Sequence, residues 1–186
     1  MLHRLATQCP RDLGTQSAVF CTNIASETKI AHIFGMDPID RKILKQIQAD
    51  SSPSHAELGD VVHLSASQVS RRIARMQQDG VIRKHVAILD EGQLGLMVEA
   101  YVSITLGSYS RETVSGFHAR VSALDEVLDC CATTGDSDYL LRIVSRDLKG
   151  LSRLINEELL GHGDVDNVRS SITLNVIKRT TALPVG

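Results

Sequence analysis

Ser54-His55-Ala56-Glu57, followed by Leu58, Val61 and Val62, and Ser65-Ala66-Ser67-Gln68, followed by Val69, Ile73 and Met76, decide the fold of the first half of the chain. In each stretch a Ser able to accept from a free backbone N–H is followed three residues later by Glu or Gln, which can reach back to the cap. This is the capping-box spacing, and it occurs here twice. Only Val62-His63-Leu64 lies between the two apolar runs, so two short helices must cross at a tight turn. A short helix, a turn and a second helix is the arrangement that presents a helix to the DNA major groove. At about 100° per residue, Val69, Ile73 and Met76 fall within roughly 60° of one another and form a core stripe. Ser67, Gln68, Arg71, Arg72, Arg75 and Gln78 are expected on the opposite face, and no acid occurs between Ser65 and Gln78. Arg pairs bidentately with guanine or phosphate, Gln with adenine, and Ser with either. Ser65, Ser67, Gln68, Arg71, Arg72 and Arg75 are therefore the candidate DNA contacts. The alternative reading of the same charges is a solvated basic helix face.

Upstream, Asp37 is a good N-cap, Pro38 suits the first helical position, and Asp40 adds negative charge to the first turn. Ile39, Ile43, Leu44 and Ile47 repeat at helical spacing until Ser51-Ser52-Pro53. Three helices thus precede Gly80, a candidate C-cap. Val81–Leu89 reads as a strand that would form a wing, with Arg83 and Lys84 within reach of phosphate. Residues 1–35 show neither period and read as a flexible arm or an upstream stretch of translated sequence, with Met36 as an alternative initiator.

The net charge of −2 hides a division along the chain. Residues 36–89 hold eight Lys/Arg against six Asp/Glu, whereas residues 90–186 hold nine against fourteen. A front half that is only modestly basic implies that DNA affinity comes from several copies acting together. Cys9, Cys21, Cys130 and Cys131 make no C-x-x-C pair, and Cys130 and Cys131 are expected as small buried residues pointing to opposite faces of a strand. No metal or cofactor is called for. With no run of 18 apolar residues and no signal peptide, a soluble cytoplasmic protein without membrane contact is expected. No nucleophile elbow, phosphate-cradling loop, HExxH or C-x-x-C motif points to an enzyme.

After the hinge at residues 90–97, one pattern repeats. Val98–Leu106 reads as a strand, Ser110 caps a helix carrying Val114, Phe117, Val121 and Leu124, and Glu126–Thr134 reads as a second strand. Gly135-Asp136-Ser137 turns into the strand Tyr139–Ser145, Asp147 caps a helix carrying Leu148, Leu151, Ile155 and Leu159, and a last strand runs from about Val165 to Arg179. Two such strand–helix–strand units predict a ferredoxin-like βαββαβ domain over residues 98–180, with residues 181–186 as a tail. The whole is an α+β protein: an N-terminal winged helix-turn-helix over residues 36–89, then the ferredoxin-like domain. Its open sheet face calls for self-association.

This order of elements resembles the Lrp/AsnC family, the leucine-responsive or feast/famine transcriptional regulators. The resemblance covers residues 36–183. It rests on Asp37-Pro38-Ile39-Asp40-Arg41-Lys42-Ile43-Leu44, on Leu64-Ser65, Arg72-Ile73, Met76 and Asp79-Gly80-Val81-Ile82, and on Gly135-Asp136-Ser137-Asp138-Tyr139-Leu140-Leu141, similar to the family's GD-x-DYLL turn. The ending Ile177–Pro184 is also similar to members of the family. The resemblance implies a sequence-specific regulator that binds duplex DNA as a homodimer assembling further, and that senses a small molecule, commonly an amino acid. It places the effector between protomers near Thr134, Gly135, Asp136 and Asp138, with Thr133 just before them. An effector-independent architectural DNA binder of the same fold is the alternative. A Gly turn exposes backbone N–H groups to a carboxylate and an Asp can receive an ammonium, although a GD turn is also an ordinary hairpin signal.

Overall fold

The computed structural model describes residues 36–185, so the expectations for residues 1–35, with Cys9 and Cys21, lie outside the described residues. The chain divides into two compact units. Of the described residues, one unit contains 36–85 together with 181–185, and the other spans Val86–Thr180.

In the first unit, α1 is Pro38–Ala49, α2 is His55–Val62 and α3 is Ala66–Gln78. The Asp37 carboxylate caps α1 by accepting from the Ile39 N–H at 2.8 Å. Both capping boxes form: Ser54 with Glu57 and Ser65 with Gln68 accept from each other's backbone N–H groups. His63 makes the turn in the left-handed region at φ 58°, and the Leu64 N–H donates back to the Gly59 carbonyl at 2.9 Å. The turn is tight enough that a Cβ on Gly59 would lie 2.4 Å from the Leu64 carbonyl oxygen. The crossing helices bury Ile43, Leu44, Leu58, Val62, Val69, Ile73, Met76 and Ile82 in one core. Val185 packs against that core, and the Gln48 side-chain amide brackets the backbone of Leu183 with bonds of 2.6 and 3.2 Å. The tail is thus part of the helical unit.

Residues 81–89 do not form the expected strand. After Ile82 is buried, this stretch has no laddered neighbour among the described residues, and Val86, Ile88 and Leu89 are exposed. An apolar run of β-branched residues becomes a strand only where another strand supplies its hydrogen bonds.

In the second unit, β1 is Val98–Leu106, α4 is Arg111–Ala123, β2 is Val127–Ala132, β3 is Tyr139–Ser145, α5 is Leu148–Arg153 and β4 is Val165–Ile172. The strands form one antiparallel sheet in the order β2-β3-β1-β4, the ferredoxin-like arrangement. Alternate residues Ala100, Val102, Ile104 and Leu106 of β1, with Leu141 and Ile143 of β3, pack under Phe117 and Val121 of α4 and Leu151 of α5.

Three expectations for this unit are corrected. The helix begun at Asp147 is α-helical only to Arg153 and continues as a π-helix over Leu154–Leu159. The wider turn adds Leu154 to the expected Leu159, five residues on, in the core; Ile155 is partly buried against it, and the expected Leu148 is exposed instead. The last strand stops at Ile172, not near Arg179. Its partner β1 is running out there: Ile172 is paired with Ala100, and one more bond runs from the Thr173 N–H to the Glu99 carbonyl. Cys130 and Cys131 do occupy opposite faces, opposite Leu141 and Leu140, but both are exposed because β2 is an edge strand. Partial desolvation, then Cys131 and Asp129, push the Cys130 thiol up to about 11, so it stays protonated at neutral pH. No described helix is long and apolar enough to cross a membrane.

Gly59→Ala tests the turn. Alanine raises helix propensity by about 1 kcal/mol, but its Cβ would collide with backbone. The clash should win, with a net loss of about 1–3 kcal/mol and a lower melting midpoint by circular dichroism.

Candidate DNA interface and ligand turn

The apolar stripe of α3 is fully used in the core: Val69, Ile73 and Met76 are buried. Its remaining surface divides into two parts. Ser67, Gln68 and Arg71 are exposed near the N-terminal end. Ser65 and Gln68 are engaged with each other, since the Gln68 side-chain oxygen accepts from both the Ser65 N–H at 2.9 Å and the Ser65 hydroxyl at 3.0 Å. Gln68 can therefore donate to a base edge without disturbing the cap, whereas a bidentate pairing with adenine would draw on the oxygen that holds the box. Arg71 donates through Nε to the Ser67 carbonyl at 3.3 Å, a bond that leaves its terminal nitrogens out.

Arg72 and Arg75 depart from the expected outward cationic face. Arg72 Nη1 donates to Asp40 at 2.8 Å and to Asp37 at 2.9 Å, and Arg75 Nη2 donates to the other oxygen of Asp40. The Asp40 side chain is 3% exposed, so one buried carboxylate of α1 ties down two arginines of α3. The reason lies in the geometry of crossing helices: the flank of α3 beside its apolar stripe meets α1, which covers most of Arg72 and leaves the Arg75 side chain 55% exposed. Sequence reasoning assigned Asp40 to the helix dipole and missed this role. A signal was present, because Asp40 shares a stripe with Leu44 and Ile47 at i+4 and i+7, and an acid on an apolar stripe demands a cationic partner. Removing one partner of such a buried pair typically costs about 3–5 kcal/mol.

The second candidate site lies at the β2–β3 turn. The Thr133 N–H donates to the Asp138 carbonyl at 2.8 Å and the Thr133 hydroxyl to the Ser137 carbonyl at 2.7 Å, closing the loop. Gly135 takes φ 135°, a conformation that L side chains rarely adopt. Thr134, Gly135 and Asp136 are exposed at the tip. Asp138 is held differently: its carboxylate accepts from the Leu106 N–H at 2.8 Å and from the Tyr109 hydroxyl at 2.9 and 3.1 Å. It secures the end of β1 against the start of β3, which fixes where the turn stands. Among the described residues no group of His, Cys, Asp and Glu is arranged to hold a metal ion.

Comparison with known proteins matches both regions. Residues 36–83 match the family model described as a winged helix-turn-helix DNA-binding domain, and residues 99–183 match the Lrp/AsnC ligand binding domain. The chain is 32% identical over 150 residues to the transcriptional regulator AzlB of Bacillus subtilis, covering 81% of this chain and 96% of that protein. It is 31% identical over 150 residues to the leucine-responsive regulatory protein of Salmonella typhimurium, covering 81% and 92%. Among solved structures, a transcriptional regulator from Neisseria meningitidis in complex with L-Met superposes with a TM-score of 0.78 at 33% identity, covering 81% of this chain and 97% of that one. An AsnC family transcriptional regulator from Agrobacterium tumefaciens gives 0.76 at 38% identity, covering 81% and 97%.

The caps of the helical unit make a pH prediction. The Ile39 N–H, then Arg72, hold the Asp37 carboxyl below its usual range, and the Ser54 N–H and hydroxyl do the same for Glu57. A carboxyl whose folded pKa is depressed adds stability above its unfolded pKa of about 4, and that stability is lost as pH falls through the folded value. Asp37→Asn should therefore melt below the parent at pH 6–7, with the gap closing as pH drops below about 4. A gap that stays constant from pH 7 to pH 2.5 would refute this.

Proposed function

This chain belongs to the Lrp/AsnC family of transcriptional regulators, and we propose on that premise that it reads specific DNA sites through α3 and tunes its binding to an amino acid taken up at the β2–β3 turn. It is a DNA-binding regulator and not an enzyme, as its relatives are. The observation that carries the DNA reading is the acid-free, exposed start of α3, set by two capping boxes across a tight turn. In the proposed complex Ser67, Gln68 and Arg71 reach base edges in the major groove. Ser65 keeps the helix start in register, and Arg83 and Lys84 add phosphate contacts. Half-sites fall about one helical turn apart, or a multiple of it.

For the effector, Thr134, Gly135 and Asp136 supply exposed backbone N–H groups and a carboxylate within one short turn, complementary to a zwitterion. Asp138 acts on the ligand through the turn it anchors. The L-Met complex of the Neisseria regulator supports an amino acid as the ligand class. Assembly as a dimer or higher oligomer in the cytoplasm completes the proposal. It is supported by the exposed apolar side chains Tyr101 and Leu140 on the open sheet face and Leu174 and Ile177 beyond β4.

Two substitutions separate the roles. Arg71→Ala should abolish preference for a selected duplex over random duplex in mobility shifts while leaving the melting midpoint within about 1–2 °C. Asp136→Ala should keep DNA affinity yet remove the response to whichever of the twenty amino acids, L-methionine included, raises the parent's melting midpoint. If none of the twenty shifts melting, assembly or DNA binding, the sensing role fails and an effector-independent architectural DNA binder remains.

A further inference from the structure

Three arginines lie on α3, yet they differ in what holds them. Among the described residues Arg71 has a carbonyl one turn back. Arg72 has two carboxylates, and its side chain is 25% exposed; Arg75 shares the buried Asp40 while its side chain stays 55% exposed. Asp37 and Asp40 thus neutralise two of the three positive charges and fix the direction of their guanidinium groups. A guanidinium with a fixed, compensated partner is a poor phosphate ligand, because binding DNA would first have to break a short ion pair. A free one at the same place would be a good ligand and an indiscriminate one, since phosphate contacts carry no sequence information directly.

We propose that Asp40 is a positioning residue for sequence discrimination: it withholds Arg72 and Arg75 from the DNA backbone and locks α3 so that the exposed trio of Ser67, Gln68 and Arg71 alone decides which duplex is bound. This rests on the reading of α3 as the recognition helix. Removing the charge of Asp40 frees Arg75, while Arg72 keeps its bond to Asp37 at 2.9 Å, so one cation per protomer is released. Each added phosphate contact steepens the dependence of log K on log salt by about 0.9 and is worth about threefold in affinity between 200 and 50 mM salt. Discrimination falls because the random duplex gains while the selected duplex does not gain in proportion.

The test uses the full chain, a duplex selected by the parent protein from a random 30-base-pair pool, and the unselected pool. Asp40→Asn, checked for folding by circular dichroism, should bind the unselected pool about threefold more tightly at 50 mM salt, with a salt slope steeper by about 1. Asp40→Glu, which keeps the charge, should restore the parental slope. A purely structural role would weaken binding to both duplexes and leave the slope alone or reduce it, and that outcome overturns the proposal. Should Asp40→Asn fail to fold, Arg75→Gln decides: it should retain the preference for the selected duplex. If Arg75→Gln loses that preference as Arg71→Ala does, Arg75 is a reader and the inference is wrong. If Arg71→Ala itself keeps full preference, the reading of α3 fails first, and the two failures are told apart.

Discussion

A carboxylate buried between two crossing helices is the constraint on which the helical unit depends. Asp40 is almost fully covered, so its charge is tolerable only with cationic partners at hydrogen-bond distance. Those partners come from α3. The same contact that satisfies the acid therefore sets how α3 is rotated and which of its side chains remain outside. Ile43 and Leu44, three and four residues after Asp40, and Ile73 between Arg72 and Arg75, bury their side chains in the core. The polar brace and the apolar packing thus define one orientation of the helix.

A related device recurs in the second unit. Asp138 takes the N–H of Leu106, where the ladder of β1 with β3 has ended, and adds the Tyr109 hydroxyl. Glu99 receives Arg142 at 3.1 Å and also Arg179, so the segment beyond β4 is drawn back over the start of β1. Arg120 grips both oxygens of Asp164 at 2.8 and 2.7 Å. These pairs change the meaning of the acidic formal charge of this half. Several of its carboxylates act as internal fastenings for backbone ends and arginines, so a charge count overstates the field the unit presents to its surroundings.

Local departures from regular structure also follow from packing. The π-helical turn at Leu154–Leu159 is poor in intrinsic terms, yet it lets two leucines five residues apart enter the core under one helix. The extra residue in β2 between Val127 and Asp129 shifts the register beside β3 at a sheet edge, where bulges commonly blunt an otherwise pairable strand. Neither has a sequence signature that a periodicity argument would detect.

What the sequence determined by itself were the features encoded within a few residues. Both capping boxes, the N-cap at Asp37, the buried stripe Val69–Ile73–Met76 and the strand–helix order of the second unit depend on spacing alone, because caps and apolar periods act over one or two turns. The family was legible for the same reason, in short motifs such as Gly135-Asp136-Ser137-Asp138-Tyr139. The fate of side chains that meet across the fold was not. Arg72 and Arg75 looked like Arg71 on a helical wheel, and only the crossing of α1 and α3, which puts Asp40 thirty-two residues from Arg72 in sequence but 2.8 Å away in space, separated them. Likewise, Val81–Leu89 and Thr173–Arg179 have strand composition, but a strand is defined by its neighbour. Among the described residues the first has no strand beside it, and the second loses β1 just beyond Ile172.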